Sequence, residues 1–346
     1  VKRALAFITF GLALAACGDN DACTLDGAMC KKLAYYGLFD DIATQQPAAG
    51  VTPYELETPL FSDYTTKHRF LALPPGVTAT WSDRDAFDLP IGSVLVKTFG
   101  YLADRRDPSS HETKIETRLL IHGSEGWHGA AYVYDGEDSD ATLAAAGTTV
   151  AASWVHDDGT PRDNDYVVPN ENQCKNCHAE HDDVLTPLGP KARHLNLGAQ
   201  LQGLVDHGQL AGAPPADQWP KDPNAIDPTT GSLDQRARAF LDINCGHCHN
   251  PTGAARTSGL YLDAFETDVA KLGTCKPPVA TGRGSGGLAF DIVPGQPDAS
   301  IVIYRVASTE PSIKMPELGR NLVYTEGEQL LRDWITAMPG TCAPSR

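Results

Sequence analysis

The chain has 346 residues, enough for two modest domains or one large one, and 41% of them are hydrophobic, which is enough to build real cores. A formal charge of −16 provides no basic footprint for phosphates and argues against nucleic acid as a partner; the acidity fits solubility, or steering toward a basic partner. The 32 glycines and 25 prolines promise many turns.

In chain order, Lys2 and Arg3 make a short positive head, and residues 4–13 form an apolar run too short to span a bilayer comfortably. Leu14-Ala15-Ala16-Cys17 follows and resembles a bacterial lipobox, in which the cysteine is lipidated and becomes the new N-terminus. The expectation is a lipoprotein signal over residues 1–17, lipid on Cys17, and a tether over 18–50 with a short helical stretch in KKLAYYGLF. Gly18 after the cysteine favours the outer membrane by the same resemblance. No other run approaches the roughly 20 apolar residues of a transmembrane helix, so the membrane is met through the N-terminal lipid only, on the oxidising periplasmic side of a bacterial envelope.

Residues 51–168 read as β-rich. SVLVKTFGYL (93–102), KIETRLLIHG (114–123) and WHGAAYVYDG (127–136) carry β-branched and aromatic residues in partial alternation. GSEG (123–126) is a hairpin connection and DDG (157–159) another turn, so an antiparallel, sandwich-like domain is expected. From 169 to 232 the character changes, and 195–210 has helical spacing. From 233, LDQRARAFLDIN predicts a helix running into Cys245. Near the end, Thr325 and Glu328 match a capping box, with Leu331, Trp334, Ile335 and Met338 sharing a helix face behind it.

Two short motifs carry the chemistry: Cys174-Lys-Asn-Cys177-His178 and Cys245-Gly-His-Cys248-His249. Two thiols at this spacing can add to the two vinyl groups of one haem, and the adjoining histidine then supplies the proximal nitrogen to its iron. The pattern therefore predicts two covalently attached c-type haems, bound through Cys174, Cys177, Cys245 and Cys248, with His178 and His249 as iron ligands. A thioredoxin-like site would need a βαβ setting, which neither motif has. A four-thiolate zinc site would need its two pairs far closer in sequence, and would leave both histidines unexplained.

Nine cysteines are present. With Cys17 assigned to lipid and four to the motifs, Cys23, Cys30, Cys275 and Cys342 remain, an even number that suggests disulfides in an exported chain. The simplest of the three possible pairings joins Cys23 to Cys30 and Cys275 to Cys342.

Met315, in IKMPELG, is the candidate sixth ligand of the second haem, and a thioether there would raise the potential by favouring Fe(II). The first haem's sixth ligand is open. His194 leads, because enough chain separates it from His178 to wrap a porphyrin; His207, His156, His128, His68, a non-histidine ligand or an open position are alternatives. Lys67, Arg69, Arg118, Lys191 and Arg193 are basic points in an acidic chain, readable as surface ion pairs or as partners of haem propionates.

A helix into the second motif, a late Met-Pro and a terminal helix resemble a class I cytochrome c domain over about 233–342. The whole mature chain resembles a family of bacterial di-haem c-type cytochromes, through TPLFSDYTTKHRFLALPPG (58–76), GSVLVKTF (92–99), ETRLL (116–120), NQCKNCH (172–178), GPKARHLN (189–196), FDIVPGQPDASI (290–301) and MPELG (315–319). The resemblance implies an α+β chain: an antiparallel β-rich domain over 51–168, a first haem-binding segment over 169–232, and an all-α cytochrome c domain with the second haem over 233–346. It implies electron transfer between a redox donor and acceptor that it does not name. A di-haem peroxidase-like enzyme with one open iron is the alternative, and a docking or ligand-binding role for the β-rich part a third reading. GRGSGG (282–287) lacks the strand and helix of a dinucleotide site, and HETKI (111–115) lacks the second histidine of a zinc protease.

Overall fold

The computed structural model describes residue 25 and residues 28–180, 184–279 and 281–343. Six antiparallel strands form one sheet in sequence order: β1 (Val51–Tyr54), β2 (Thr66–Ala72), β3 (Val94–Leu102), β4 (Glu112–Gly123), β5 (Gly126–Tyr134) and β6 (Ala141–Leu143). Gly123 faces Gly126 at the tight β4–β5 connection, where the sequence predicts the hairpin. A separate two-stranded ribbon follows, β7 (Thr148–Val155) with β8 (Pro161–Val168), turned at the DDG stretch.

Strand alternation gives the sheet two faces. On one, Phe70, Val96, Leu119 and Tyr132 pack with Leu33, Leu38 and Ile42 from the N-terminal segment. On the other, Leu71 joins Phe87, Leu89, Leu195 and Leu201, and Phe99 joins Trp154 and Tyr166 of the ribbon. The architecture is therefore one large sheet and a ribbon, not the expected sandwich of two sheets.

The helices follow: α1 (Glu171–His178), α2 (Ala192–Leu195), α3 (Gln200–Asp206), α4 (Leu233–Leu241), α5 (Ile301–Val306) and α6 (Thr325–Ala337). Of the stretch with helical spacing, 195–210, only α3 is helical beyond Leu195, the last residue of α2. A C-terminal all-α cytochrome c domain is not seen; the chain is a mixed α+β fold with 25% strand and 22% helix. Between α4 and α5 the backbone is largely irregular, with isolated parallel bridges at Thr274–Ile292 and Phe290–Ser300. The helices pack through Phe240, Leu241, Ile303, Leu331, Trp334 and Ile335.

This region is also fastened to the β part. The Asp63 carboxylate, 2% exposed, accepts from the backbone N–H of Asn321 at 2.7 Å and of Leu322 at 2.8 Å. Phe61 stacks on Tyr324 at 4.4 Å, and the Tyr64 hydroxyl lies 3.0 Å from Thr325 Oγ1. That last contact explains a second correction. Tyr324, not Thr325, is the N-cap of α6, and no side-chain cap forms, because Thr325 is the first helical residue and its hydroxyl serves the tertiary contact.

Cys275 and Cys342 are joined as expected, tying the end of the chain back beside Ile292. The Cys23–Cys30 pairing and the lipid on Cys17 fall outside the described residues. No helix among the described residues is long and apolar enough to cross a membrane.

Gly327, buried in α6, has no room for a Cβ: one would run into the Phe240 ring of α4 and come within 2.9 Å of Tyr324. Helix propensity alone favours Gly327→Ala by about 1 kcal/mol. The clash wins, and the variant should lose about 1–3 kcal/mol of stability in urea unfolding, with little change in m-value.

Candidate functional site

The first motif lies on α1. Asn170 caps the helix: its side chain accepts from Gln173 N–H, and the Gln173 side chain accepts from Asn170 N–H, a capping box. The helix rests on β5 where Gly129 leaves space. A Cβ at Gly129 would stand 3.5 Å from Cys174 Sγ, so the first thiol lies against the sheet.

His178 closes the helix. Its Nδ1 lies 3.0 Å from the Thr186 carbonyl oxygen, which can only accept, so Nδ1 carries the proton and Nε2 keeps its lone pair. Burial lowers the ring to about 4, so it is neutral at pH 7.

The second motif is built differently and arrives at the same arrangement. Ser232 and Gln235 cap α4 with another box, and the helix widens into a π-turn over Asp242–Gly246 that delivers Cys245. His249 Nδ1 lies 3.3 Å from the Leu260 carbonyl, and Leu262 N–H donates to the His249 carbonyl at 2.8 Å. Burial again lowers the ring to about 4, and it raises the Cys245 thiol to about 12. A neutral imidazole whose Nδ1–H is anchored to a carbonyl is the form a metal-ligating histidine takes.

The Met315 loop is held beside the second motif. Met315 N–H donates to Arg305 O at 3.1 Å. The buried Arg320 guanidinium donates to the carbonyls of Met315 (2.7 Å), Ser308 (2.9 Å), Leu322 (2.9 Å), Arg305 (3.2 Å) and Val306 (3.2 Å). Arg320 acts electrostatically on Cys245, Arg305 on His249 and Glu317 on Cys248, so this loop and the second motif are neighbours.

Two cavities border the first motif. One, of about 180 Å³, is lined by Cys174, His178, Arg69, Lys97, Arg118 and Lys191, among others. The other, of about 630 Å³, is lined by Cys177, Trp127, Arg193 and Phe265, among others. Lys191, Asp242 and His247 line both.

Strand register explains the cations. Arg69 faces Lys97 and Lys97 faces Arg118, one row across β2, β3 and β4, next to the apolar row Leu95, Leu120 and Gly129. Burial and then the neighbouring Arg69 push Lys97 well below the ordinary lysine range and Lys67 down to about 7. Glu116, fully buried, neutralises Arg118, while Arg69 Nη2 is buried with no partner. Arg69 Nη1 pairs with Glu55 at 3.3 Å. Lys97 was not among the residues singled out in the sequence; a lysine amid the apolar run of β3 was the available signal.

His194 lines the smaller cavity together with His178, and its Nε2 faces a carboxylate. Asp242 Oδ2 is 2.9 Å from His194 Nε2, 2.7 Å from Arg193 Nη2 and 2.9 Å from Arg193 Nε. His194 Nε2 is therefore already engaged. His156 packs on Tyr64, His68 pairs with Glu112 at 2.9 Å, and His207 is exposed. His247, inside the second motif, is the histidine that the sequence reading passed over; its buried Nδ1 has no partner.

No family model, curated protein or solved structure matches the chain.

Burial alone would raise the Asp242 carboxyl, but the His194 hydrogen bond and the Arg193 charge outweigh it and hold the carboxyl far below the usual range. A depressed carboxylate contributes stability above its unfolded pKa, about 3.9, and loses that contribution as pH falls toward the folded value. Asp242→Asn should cost about 1–3 kcal/mol at pH 7, because it leaves the buried Arg193 guanidinium only Asp222, 3.5 Å away, as counter-charge. Urea unfolding from pH 7 to pH 3 should show a shallower acid decline for the variant than for the parent chain.

Proposed function

We propose that this chain is a lipid-anchored di-haem c-type cytochrome of a bacterial envelope that passes single electrons between a redox donor and acceptor. One observation carries the reading. Two CxxCH motifs, set in unrelated local structures, each end in a partly buried, neutral histidine whose Nδ1 faces a backbone carbonyl, 3.0 Å at His178 and 3.3 Å at His249.

The surroundings of the first motif fit a flat, largely apolar group with an anionic edge. Leu95, Leu120 and Gly129 line the smaller cavity beside Arg69, Lys97 and Arg118; Glu55 pairs with Arg69 and Glu116 with Arg118, and Arg69 Nη2 is left without a partner. That buried donor gives an anionic group a physical reason to bind. Bound haem would supply one-electron iron chemistry. The chain's own part is to bind and tune. Cys174, Cys177, Cys245 and Cys248 offer the four thiols, and His178 and His249 the two nitrogens. Met315, in the loop clamped by Arg320, offers a thioether. The apolar walls exclude water, and the cationic row sets the local field.

A second reading, a peroxidase-like redox enzyme, follows from His194. With its Nε2 committed to Asp242, no side chain is assigned opposite His178, and an open iron would admit a ligand.

Protein purified from cells able to build c-type cytochromes should contain two haems per chain by pyridine haemochrome assay. Replacing either cysteine pair by alanine should leave one. A processed chain whose mass includes no macrocycle would overturn the proposal. Met315→Ala should abolish the long-wavelength Met–Fe(III) band, and a surviving band would remove Met315 from the ligand set. Cyanide or carbon monoxide should leave both low-spin spectra unchanged if the protein is only a carrier; a spectral shift at one haem would favour the enzyme.

A further inference from the structure

Each motif has one thiol turned away from the other motif and one turned toward it. Cys174 lies against Gly129 of the sheet, and Cys245 is packed against the helical core of the C-terminal region. The second thiols meet. Cys177 Sγ, Cys248 Sγ and a ring nitrogen of His247 all lie within 4.8 Å of one another. Cys248 Sγ points at the Asn176 carbonyl, 3.6 Å away, inside the first motif.

Nothing in the spacing of the two motifs requires this contact. It is enforced from outside by buried charge. Arg193 and His194, on α2 after the first motif, hold Asp242 on the turn that enters the second, at 2.7 and 2.9 Å.

Resting on the functional reading above, we propose that Cys177 and Cys248 form a junction that seats the two haems edge to edge and lets them exchange electrons directly. In a c-type attachment each porphyrin ring carbon is two bonds from its thioether sulfur. Two sulfurs in near contact therefore fix two ring edges as neighbours. The exchange moves one electron, with one iron oxidised and the other reduced; no bond breaks and no proton moves. An external one-electron donor protein supplies the electron and an external acceptor protein removes it.

The same trio has the composition of a soft-metal site, two thiols and an imidazole. In the loaded protein both sulfurs are spent as thioethers, so the junction and a thiolate metal site exclude each other.

The test is circular dichroism in the Soret region on haem-loaded protein, with metal content measured on the same sample. Two coupled neighbouring chromophores should give a bisignate band. In the Cys245→Ala/Cys248→Ala protein, which keeps only the first haem, it should collapse to a band of single sign. A protein that holds two haems by haemochrome count, yet whose Soret signal equals the sum of its two single-haem variants, would overturn the junction and leave the di-haem reading intact. A protein with no haem and one zinc per chain at these thiols would overturn both.

Discussion

The Asp242 carboxylate is the constraint on which the arrangement of the site depends. It is 5% exposed and receives Arg193 through two nitrogens and His194 through a third. Its backbone starts the π-turn that carries Cys245, while Arg193 and His194 follow the first motif on α2. A buried ion pair of this kind is weak as a net source of stability, because both charges lose their water. It is strong as a specifier of geometry, because any other placement leaves a bare buried charge. Apolar packing could bring these two segments together in several registers. Three directed hydrogen bonds to one oxygen allow far fewer.

The sheet supplies the other half of the site by placing cost beside opportunity. Arg69, Lys97 and Arg118 sit in one cross-strand row with Glu116 nearby as counter-charge, and a row of like charges on facing strands repels itself. Such a row is easily understood if something anionic completes it. The adjacent row, Leu95, Leu120 and Gly129, is apolar and ends beside Cys174. A single alternating pattern on β3, β4 and β5 thus writes an apolar floor and a cationic edge into one face.

Local features were legible in the sequence where local physics decides them. The alternation in 93–102, 114–123 and 127–136 marks β3, β4 and β5, and the helix before Cys245 appears as α4. The Cys275–Cys342 pairing could be read from cysteine arithmetic. Long-range competition accounts for what could not be read. Thr325 has the spacing of a cap, but Tyr64 takes its hydroxyl. The expected sandwich lacks its second sheet: the ribbon β7–β8 has two strands, touches the residues after β3 through a bridge from Val155 to Asp104, and leans on Phe99 and Tyr101 through Trp154 and Tyr166. The C-terminal region has a terminal helix and a late Met-Pro, yet much of the chain between α4 and α5 forms turns and bridges, which a pattern of helices cannot foretell. His194 has a plausible separation from His178, but separation does not reveal that a carboxylate distant in the chain will claim its nitrogen.

The two motifs share a pattern but sit in different surroundings. Around the second, Arg320 satisfies five carbonyls and locks the Met315 loop, and Cys245 packs against the helical core, while His247 Nδ1 is left without a partner. Around the first, Arg69 Nη2 has no partner, and two cavities adjoin. Unspent hydrogen-bonding capacity in a buried place is costly to keep, and it is the usual mark of a site that awaits a ligand. The contact between the motifs, Cys177 against Cys248 with His247 beside them, lies where the sheet-borne and helix-borne environments meet.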